Sequence, residues 1–214
     1  MAEQFFGTKY AQRIILIGAS MGGTEALPKV LRSLPADTPG IVIVQHMPAL
    51  FTDAFARRLD RESKISVREA KDNDRVEQGQ ALVAPGGYHT HLRQAFGGRY
   101  YVEVKDGPLV LGQKPAADVL FQSAAGVVSF NCLAIVLTGM GRDGAEGLLQ
   151  LRQVGARTIA QDRESSAIYG MPQKAWELGG AERQVSLDRM YSAIVAFSQG
   201  RLTSVQRQRQ HIGR

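Results

Sequence analysis

The amino-acid sequence predicts an α/β fold in which a doubly wound, mostly parallel sheet carries helices on both faces. Short runs of continuously apolar, β-branched residues alternate along the chain with segments of helical periodicity. Strands that are apolar throughout are typical of sheets buried on both sides, and their alternation with helices is typical of parallel connections. A glycine pair, Gly97-Gly98, separates two β-like stretches and predicts a β-hairpin near the middle of the chain.

The first part of the chain predicts two strand–helix units. A strand over 13–17 is dense in β-branched residues, and Pro35 closes the helical pattern over 24–34 that follows it. A second apolar run over 41–44 predicts the next strand. Thr52 is expected to cap the helix after it, because a threonine hydroxyl can accept a hydrogen bond from a free N–H at a helix start.

The middle of the chain predicts shorter strands with polar turns between them. Strands are expected over 65–70, 81–84 and 100–105, where β-forming residues are bounded by aspartate, asparagine, proline and glycine. An amphipathic helix then begins at Asp118 and continues to Ala125.

The parallel pattern returns in the last third of the chain. An apolar run over 133–137 predicts a buried strand, which ends in a glycine-rich loop before a helix over 145–154. The remaining predicted elements are a strand over 157–161, a helix over 171–178, a short strand over 184–186 and a final helix over 187–197.

Length and composition favour one globular domain. The chain has 214 residues, of which 44% are hydrophobic and 21% are charged, a balance that is ordinary for globular proteins. No internal repeat or low-complexity linker divides the chain. We therefore expect an N-terminal extension over 1–12, a single domain over 13–198 and a basic tail over 199–214.

Several features predict a cytoplasmic protein. No apolar run approaches the roughly 18 residues expected of a membrane helix, and the N-terminus lacks the basic and apolar segments of a signal peptide. Cys132 is the only cysteine, so no internal disulfide can form. Its apolar neighbours favour a small buried residue rather than a nucleophile.

The basic tail raises the question of a nucleic-acid partner. The formal net charge is +6, and the tail carries Arg201, Arg207, Arg209 and Arg214 without an acidic residue. Such a tail can contact nucleic acid or an acidic protein. No aromatic residues lie between these arginines to stack on bases, so we expect a solvated terminus and no nucleic-acid partner.

Three of the predicted strands lead into loops that carry Ser20, His46 and Asp143. Ligands of parallel α/β sheets bind beyond the carboxyl ends of the strands, so these side chains are expected to converge. A serine hydroxyl is a poor nucleophile until a base takes its proton, and a carboxylate orients that base and stabilises its charged form. The three residues therefore indicate nucleophilic acyl transfer.

The turn around Ser20 has a second property that suits this chemistry. It lies between a strand and a helix, so main-chain N–H groups can face a developing oxyanion, and Met21 directly after the nucleophile is the expected donor. Gly18-Ala19-Ser20-Met21-Gly22 also fits the G-x-S-x-G pattern of α/β-hydrolases. In those enzymes, however, the acid precedes the histidine, whereas here His46 precedes Asp143.

Seven segments, running in the same order from about residue 14 to about residue 195, resemble those of the chemotaxis protein-glutamate methylesterase family. The segments are Ile17-Gly18-Ala19-Ser20-Met21-Gly22-Gly23-Thr24-Glu25, Gln45-His46-Met47-Pro48, Ala84-Pro85-Gly86, Asp106-Gly107-Pro108, Asp118-Val119-Leu120-Phe121, Leu137-Thr138-Gly139-Met140-Gly141-Arg142-Asp143-Gly144 and Tyr169-Gly170-Met171-Pro172. An ordered set of this kind is far more specific than any single motif.

The resemblance implies that residues 13–198 form a methylesterase catalytic domain with a Ser-His-Asp triad. Ser20 takes the place of the nucleophile, His46 of the general base and acid, and Asp143 of the orienting carboxylate. Met140 matches the position whose main-chain N–H contributes to the oxyanion hole. The implied reaction hydrolyses a glutamate methyl ester of a chemoreceptor cytoplasmic domain through an acyl-enzyme and releases methanol, with no metal or organic cofactor.

The sequence also departs from the family pattern. Met21 stands where threonine is frequent, Arg142 stands where asparagine is common, and Gly87-Tyr88 replaces a more polar pair. Family members often carry an N-terminal receiver domain, for which the dozen residues before the first strand leave no room. We expect a stand-alone, monomeric esterase, favoured by Met1, or an excised domain; a separate receiver or regulatory protein would then supply control.

Each site residue also has a purely structural interpretation. A serine in a glycine-rich turn is commonly turn chemistry alone, a histidine after a strand is commonly a structural hydrogen-bonding residue, and Asp143 could cap the helix that follows it. The ordered resemblance favours the triad over these interpretations. His89 and His91 alternate as on a strand, but no third metal ligand has a suitable spacing, so we expect them to lie at the surface or line a cleft.

Alternatives from other functional classes stay open. Gly18, Gly22 and Gly23 loosely resemble a dinucleotide-binding turn, although the sequence fits neither G-x-G-x-x-G nor a Walker motif. A catalytically inactive scaffold that only docks receptors is a second alternative. Deamidation of receptor glutamines by the same nucleophile is a third.

Overall fold

Seven parallel strands form the central sheet of the computed structural model, which describes residues 13–202. With the two strands of a separate hairpin, β5 and β6, the strands of the described residues are β1 (Ile14–Ala19), β2 (Gly40–Gln45), β3 (Ser66–Glu69), β4 (Gln80–Val83), β5 (His89–Gln94), β6 (Tyr100–Lys105), β7 (Cys132–Val136), β8 (Arg157–Gln161) and β9 (Arg183–Val185). The helices are α1 (Gly23–Leu31), α2 (Ala49–Glu62), α3 (Ala117–Ala125), α4 (Ala145–Gln153), α5 (Met171–Glu177) and α6 (Leu187–Ser198). The order in the sheet is β3-β4-β2-β1-β7-β8-β9, and β5 and β6 pair as a separate antiparallel hairpin.

The core has two layers because alternate residues of each strand point to opposite faces of the sheet. On β1, Ile14 and Leu16 pack with side chains of α3, α4, α5 and the hairpin. Ile15 and Ile17 pack on the other face with side chains of α1, α2 and α6. Strands covered on both faces are apolar along most of their length. The two core layers and the separate β5–β6 pair confirm the predicted doubly wound fold with a hairpin.

The switch point of the sheet lies between β1 and β7. The chain builds β2, β4 and β3 to one side of β1 and then β7, β8 and β9 to the other side. The loops that follow β1 and β7 therefore leave the sheet next to each other, and a crevice at this position is the usual ligand site of such folds. Ser20 and Asp143 lie in these two loops.

Some local predictions were wrong. Thr52 does not cap α2 but lies within it, because Pro48 already occupies the position before the first turn, and the Thr52 hydroxyl donates to Ala49 O at 3.2 Å and to Glu69. His89 is buried rather than exposed or cleft-lining, and its Nε2 lies 2.8 Å from Pro108 O. Its partner in that prediction, His91, is partly exposed on the same strand.

Other predictions concern burial and the chain ends. Cys132 is fully buried in β7, and burial raises the pKa of its thiol, as befits an inert core residue. None of the helices within 13–202 has the length and apolar character to cross a bilayer. The predicted extension over 1–12 and most of the predicted basic tail, from residue 203 onward, fall outside the described residues.

Candidate active site

Ser20 and His46 lie side by side because they follow two paired residues of neighbouring strands. Ala19 at the end of β1 pairs with Gln45 at the end of β2, and the N–H of His46 donates to Ala19 O at 3.1 Å. On the other side, the N–H of Ser20 donates to Thr138 O at 3.0 Å, which ties the serine to the loop after β7. The structure thus brings the predicted nucleophile between the two loops that carry the predicted base and acid.

His46 and Asp143 form a buried hydrogen-bonded pair. Nε2 of His46 donates to Oδ2 of Asp143 at 2.7 Å, and the two side chains are only 6% and 3% exposed. The other ring nitrogen, Nδ1, is buried and has no hydrogen-bond partner within the described part of the chain. With Nε2 protonated, Nδ1 carries the free lone pair, so the ring meets its carboxylate through the nitrogen opposite to the one used in chymotrypsin-like proteases.

Asp143 is fixed by the first turn of α3. Its Oδ2 also accepts from the N–H of Ala117 at 2.6 Å, and its Oδ1 accepts from the N–H of Asp118 at 2.9 Å. The carboxylate therefore caps a helix, but this helix is α3 and not α4, which follows it in the chain. These two main-chain bonds at the start of a helix hold the carboxylate in the orientation in which its Oδ2 meets His46.

Asp118, in α3, accepts a main-chain hydrogen bond from α4 in the same way. Its Oδ1 accepts from the N–H of Gly147 at 2.7 Å, so α3 and α4 each have a first turn capped by a carboxylate from the other segment. Burial raises the pKa of Asp118 to about 6, opposed by the Gly147 bond and assisted by the nearby charge of Asp143. The sequence marked Asp118 as a helix start and as part of a family-like segment, and neither observation indicated its place beside the site.

Two main-chain donors at the site are free. The N–H groups of Met21 and Met140 donate no hydrogen bond to any residue between 13 and 202. The two residues lie in the loops after β1 and β7, and the Cβ that alanine would add at Gly139 would lie 2.7 Å from Ser20 Cβ. This close approach brings the loop that carries Met140 against the serine. Both free donors can therefore serve an anion that forms next to Ser20.

Thr138 joins these loops to a third one. Its hydroxyl donates to Met21 O at 2.9 Å and accepts from the N–H of Ile168 at 2.9 Å. Its own N–H donates to Oε1 of Gln161 at the end of β8. The sequence showed Thr138 only as part of a loop motif, since nothing local indicates that its partners are Met21 and Ile168.

Several exposed apolar side chains share one part of the fold. They lie on loops at the carboxyl ends of the strands or at the start of α2, and they are Met21, Leu50, Phe51, Tyr88, Leu109, Leu111 and Met140. Leu50 is 90% exposed and Met140 is 64% exposed. Concentrations of exposed apolar side chains commonly mark surfaces that bind other proteins.

Metal ligation finds no support in residues 13–202. No group of three or more histidine, cysteine, aspartate or glutamate side chains in this range is arranged to hold an ion. His89 is committed to a main-chain carbonyl. His91 is partly buried, which lowers the pKa of its imidazole and, with Arg93 nearby, favours the neutral form.

Comparison with known proteins gives a consistent result. A family model described as CheB methylesterase matches residues 15–194. Protein-glutamate methylesterase/protein-glutamine glutaminase 2 of Syntrophus aciditrophicus is 53% identical over 86% of this chain and 54% of its own length. Protein-glutamate methylesterase/protein-glutamine glutaminase 5 of Anaeromyxobacter dehalogenans is 54% identical over 82% of this chain and 48% of its own length.

A solved structure shows the same fold. The crystal structure of the Thermotoga maritima CheB methylesterase catalytic domain is 33% identical, with a TM-score of 0.84, and the match covers 87% of this chain and 98% of that one. The chain spans about half the length of the curated relatives it matches. By contrast, the chain covers nearly all of the Thermotoga catalytic domain.

Proposed function

The chain belongs to the CheB methylesterase family, and on this premise we propose that it is a serine hydrolase acting on glutamate methyl esters. Its substrates are the methylated side chains of chemoreceptor cytoplasmic domains, and its small product is methanol. The observation that carries this proposal is the buried His46–Asp143 pair beside Ser20, in which the free nitrogen of the imidazole has no other partner. Ser20, His46 and Asp143 are the proposed triad.

In the first half of the reaction, Oγ of Ser20 attacks the ester carbonyl carbon while Nδ1 of His46 takes the hydroxyl proton. The carbonyl oxygen becomes an oxyanion, for which the free N–H groups of Met21 and Met140 are the proposed donors. Asp143 accepts from the imidazolium and offsets its charge. The intermediate collapses when His46 returns the proton to the leaving methoxide, which releases methanol.

In the second half, a water molecule attacks the acyl-enzyme. His46 takes a proton from the water, a second tetrahedral oxyanion forms, and its collapse breaks the bond to Oγ of Ser20. The proton returns to the serine, and the receptor side chain leaves as glutamate. Both halves use the same donors and the same base, so no further acid is needed.

The surroundings of the site support a protein substrate. The exposed apolar side chains on the loops that follow the strands suit the surface of a receptor helix bundle better than a small polar ester. We further propose that the protein works in the cytoplasm as a monomer, with a receiver or other regulatory protein controlling access to the site.

Glutamine deamidation is the second candidate activity. The relatives from Syntrophus and Anaeromyxobacter both carry glutaminase as well as methylesterase in their names. The chemistry needs no additional residue, because Ser20 can form the same acyl-enzyme from an amide while His46 protonates the leaving amide nitrogen, which departs as ammonia. The harder leaving group makes deamidation the slower of the two reactions.

The test is release of tritiated methanol from methylated receptor cytoplasmic domains. We expect release by the wild type, loss of at least about 10³-fold with Ser20→Ala, because removal of a triad member abolishes nearly all catalysis, and wild-type release with Ser198→Ala. Ser198 is a suitable control because its hydroxyl only donates back to Ile194 O within α6. Circular dichroism checks the fold of both variants.

The outcome separates the competing functions. Release by the wild type but not by Ser20→Ala supports the esterase and its nucleophile together. Receptor binding without release, under conditions where a related esterase demethylates the same receptor, would favour the docking scaffold. Binding of nucleotide without either activity would favour a phosphate-binding domain.

A further inference from the structure

We propose that Gln45 is a positioning residue, whose side-chain amide holds the Ser20–Met21 peptide so that the Met21 N–H faces the oxyanion. This inference rests on the proposed function and assigns a role within the same site. Gln45 was quoted in a sequence motif only as the neighbour of His46. Nothing in its type or spacing distinguished it from an ordinary strand residue.

Gln45 joins the loop that carries Ser20 to the loop that carries His46. It is the last residue of β2 and is only 3% exposed. Its Nε2 donates to Ser20 O at 2.9 Å and to His46 O at 3.1 Å. One buried amide group therefore contacts the main chain of both residues that exchange a proton in the proposed reaction.

The bond to Ser20 O has a consequence for the next N–H. In a trans peptide the C=O and the N–H point in opposite directions, and here they are Ser20 C=O and Met21 N–H. Ser20 O is held by two donors, Nε2 of Gln45 at 2.9 Å and the N–H of Gly23 at 2.8 Å. The Met21 N–H must then point away from β2, and it donates to no residue in the described part of the chain.

Gly23 fixes the amide from the other side. A Cβ at this first residue of α1 would lie 2.0 Å from Oε1 and 3.0 Å from Cδ of Gln45, so the amide lies directly against the glycine. Oε1 of Gln45 is buried and accepts no hydrogen bond within 13–202. An unpaired buried acceptor is costly, and here the two bonds made by Nε2 offset that cost.

The expected size of the effect follows from what remains when the amide is lost. Complete loss of one oxyanion donor lowers kcat about 10²- to 10³-fold. The N–H of Gly23 still holds Ser20 O when Gln45 is replaced, so the peptide would be loosened and not released. We therefore expect a loss of roughly 10- to 100-fold in kcat, with KM changed by less than about threefold, because the interaction acts in the transition state.

The experiment compares Gln45→Met with wild type on a glutamyl methyl ester and on a trifluoromethyl ketone analogue of it. Methionine keeps the length of the side chain and removes the hydrogen bonds that Nε2 donates to Ser20 O and His46 O. The ketone adds Ser20 Oγ to its carbonyl and forms an oxyanion, so its inhibition constant reports on the donors. We expect that constant to rise by the same factor as kcat/KM falls, while the pH profile of kcat/KM stays unchanged.

Thr158→Val is the matched control for stability. The Thr158 hydroxyl is fully buried in β8 and accepts from the N–H of Glu182 at 3.1 Å. Valine removes this side-chain acceptor away from Ser20, while the N–H of Glu182 keeps its bond to Thr158 O at 3.0 Å. We therefore expect a small loss of stability and an unchanged kcat. If Gln45→Met does not fold, Gln45→Asn gives the same test with an amide one methylene too short to reach Ser20 O.

The possible results are distinct. A folded Gln45 variant with kcat within threefold of wild type overturns the inference, and so does a loss of kcat without weaker ketone binding. A wild type that neither hydrolyses the ester nor binds the ketone overturns the proposed function and the inference with it. Parallel losses of kcat/KM and ketone affinity support both.

Discussion

Replacement of Asp143 by asparagine is the most informative single change at the site. It keeps the shape of the side chain and removes its charge and one of its two acceptor oxygens. In the wild type, Oδ2 accepts from His46 Nε2 and from Ala117 N, while Oδ1 accepts from Asp118 N. Three buried donors therefore depend on a carboxylate, whereas the single oxygen of an amide can serve at most two of them and leaves its NH₂ group facing the third.

The size of the effect follows from this geometry. The amide oxygen best replaces Oδ2, which serves two donors, and its NH₂ group then faces the N–H of Asp118. A buried unpaired donor costs about 1–3 kcal/mol, which for a domain of this size lowers Tm by roughly 2–12 °C. Loss of the charge behind His46 lowers kcat/KM by roughly 10²- to 10⁴-fold.

The assay is methanol release together with thermal unfolding. The matched control is Asp162→Asn in the loop after β8, where the carboxylate accepts from Ser165 N at 3.0 Å and Ser165 Oγ at 2.6 Å. We expect this variant to lose stability but to keep turnover within about threefold, since it leaves the triad untouched. A folded Asp143→Asn enzyme that keeps more than a tenth of wild-type kcat/KM would refute the role given to Asp143.

Two further predictions test the surroundings of the triad. Because the pKa of Asp118 is raised from 3.8 to about 6, only the folded protein holds this proton between these pH values, and the contribution to stability is lost as pH rises through 6. Urea unfolding should therefore show that the free energy of unfolding of Asp118→Asn, relative to that of the wild type, increases by up to about 3 kcal/mol from pH 4 to pH 7. A difference between the two proteins that does not depend on pH would contradict the burial argument. Gly139→Ala places a Cβ 2.4 Å from Met171 Sδ and 2.7 Å from Ser20 Cβ, so ester turnover should fall at least about 10-fold through displacement of Ser20, the proposed nucleophile. Gly126→Ala, whose added Cβ has no neighbour nearer than 3.7 Å, should leave turnover unchanged, and equal activities of the two variants would argue against this steric mechanism.

The fold could be predicted from sequence because its determinants are local and repetitive. The run Ile14–Ala19 is apolar at every position, and a strand of this kind needs a cover on both faces. The same holds for Cys132–Val136. The bounds of the elements were less well predicted. The side chain of Thr52 suits a helix cap, but the residue at the cap position of α2 is Pro48, four residues earlier.

The candidate site could be predicted only in part. Ser20, His46 and Asp143 could be expected to lie close together because each follows a strand, and the carboxyl ends of parallel strands lie at one edge of the sheet. Their triad roles were favoured only by the ordered resemblance to the methylesterase family. Position after a strand indicates proximity and no more. It cannot say that Nε2 rather than Nδ1 faces the carboxylate, or that the carboxylate also caps α3.

Sequence by itself therefore determined the class of fold and the residues that meet at the switch point. Tertiary structure decided the burial of His89 and Asp118, the bridge from Gln45 to Ser20 and the capping of α3 by Asp143. The physical reason is that burial and hydrogen-bond partners depend on which distant segments pack together. His46 and Asp143 lie 97 positions apart in the chain, and no local pattern specifies which atoms of such a pair will meet.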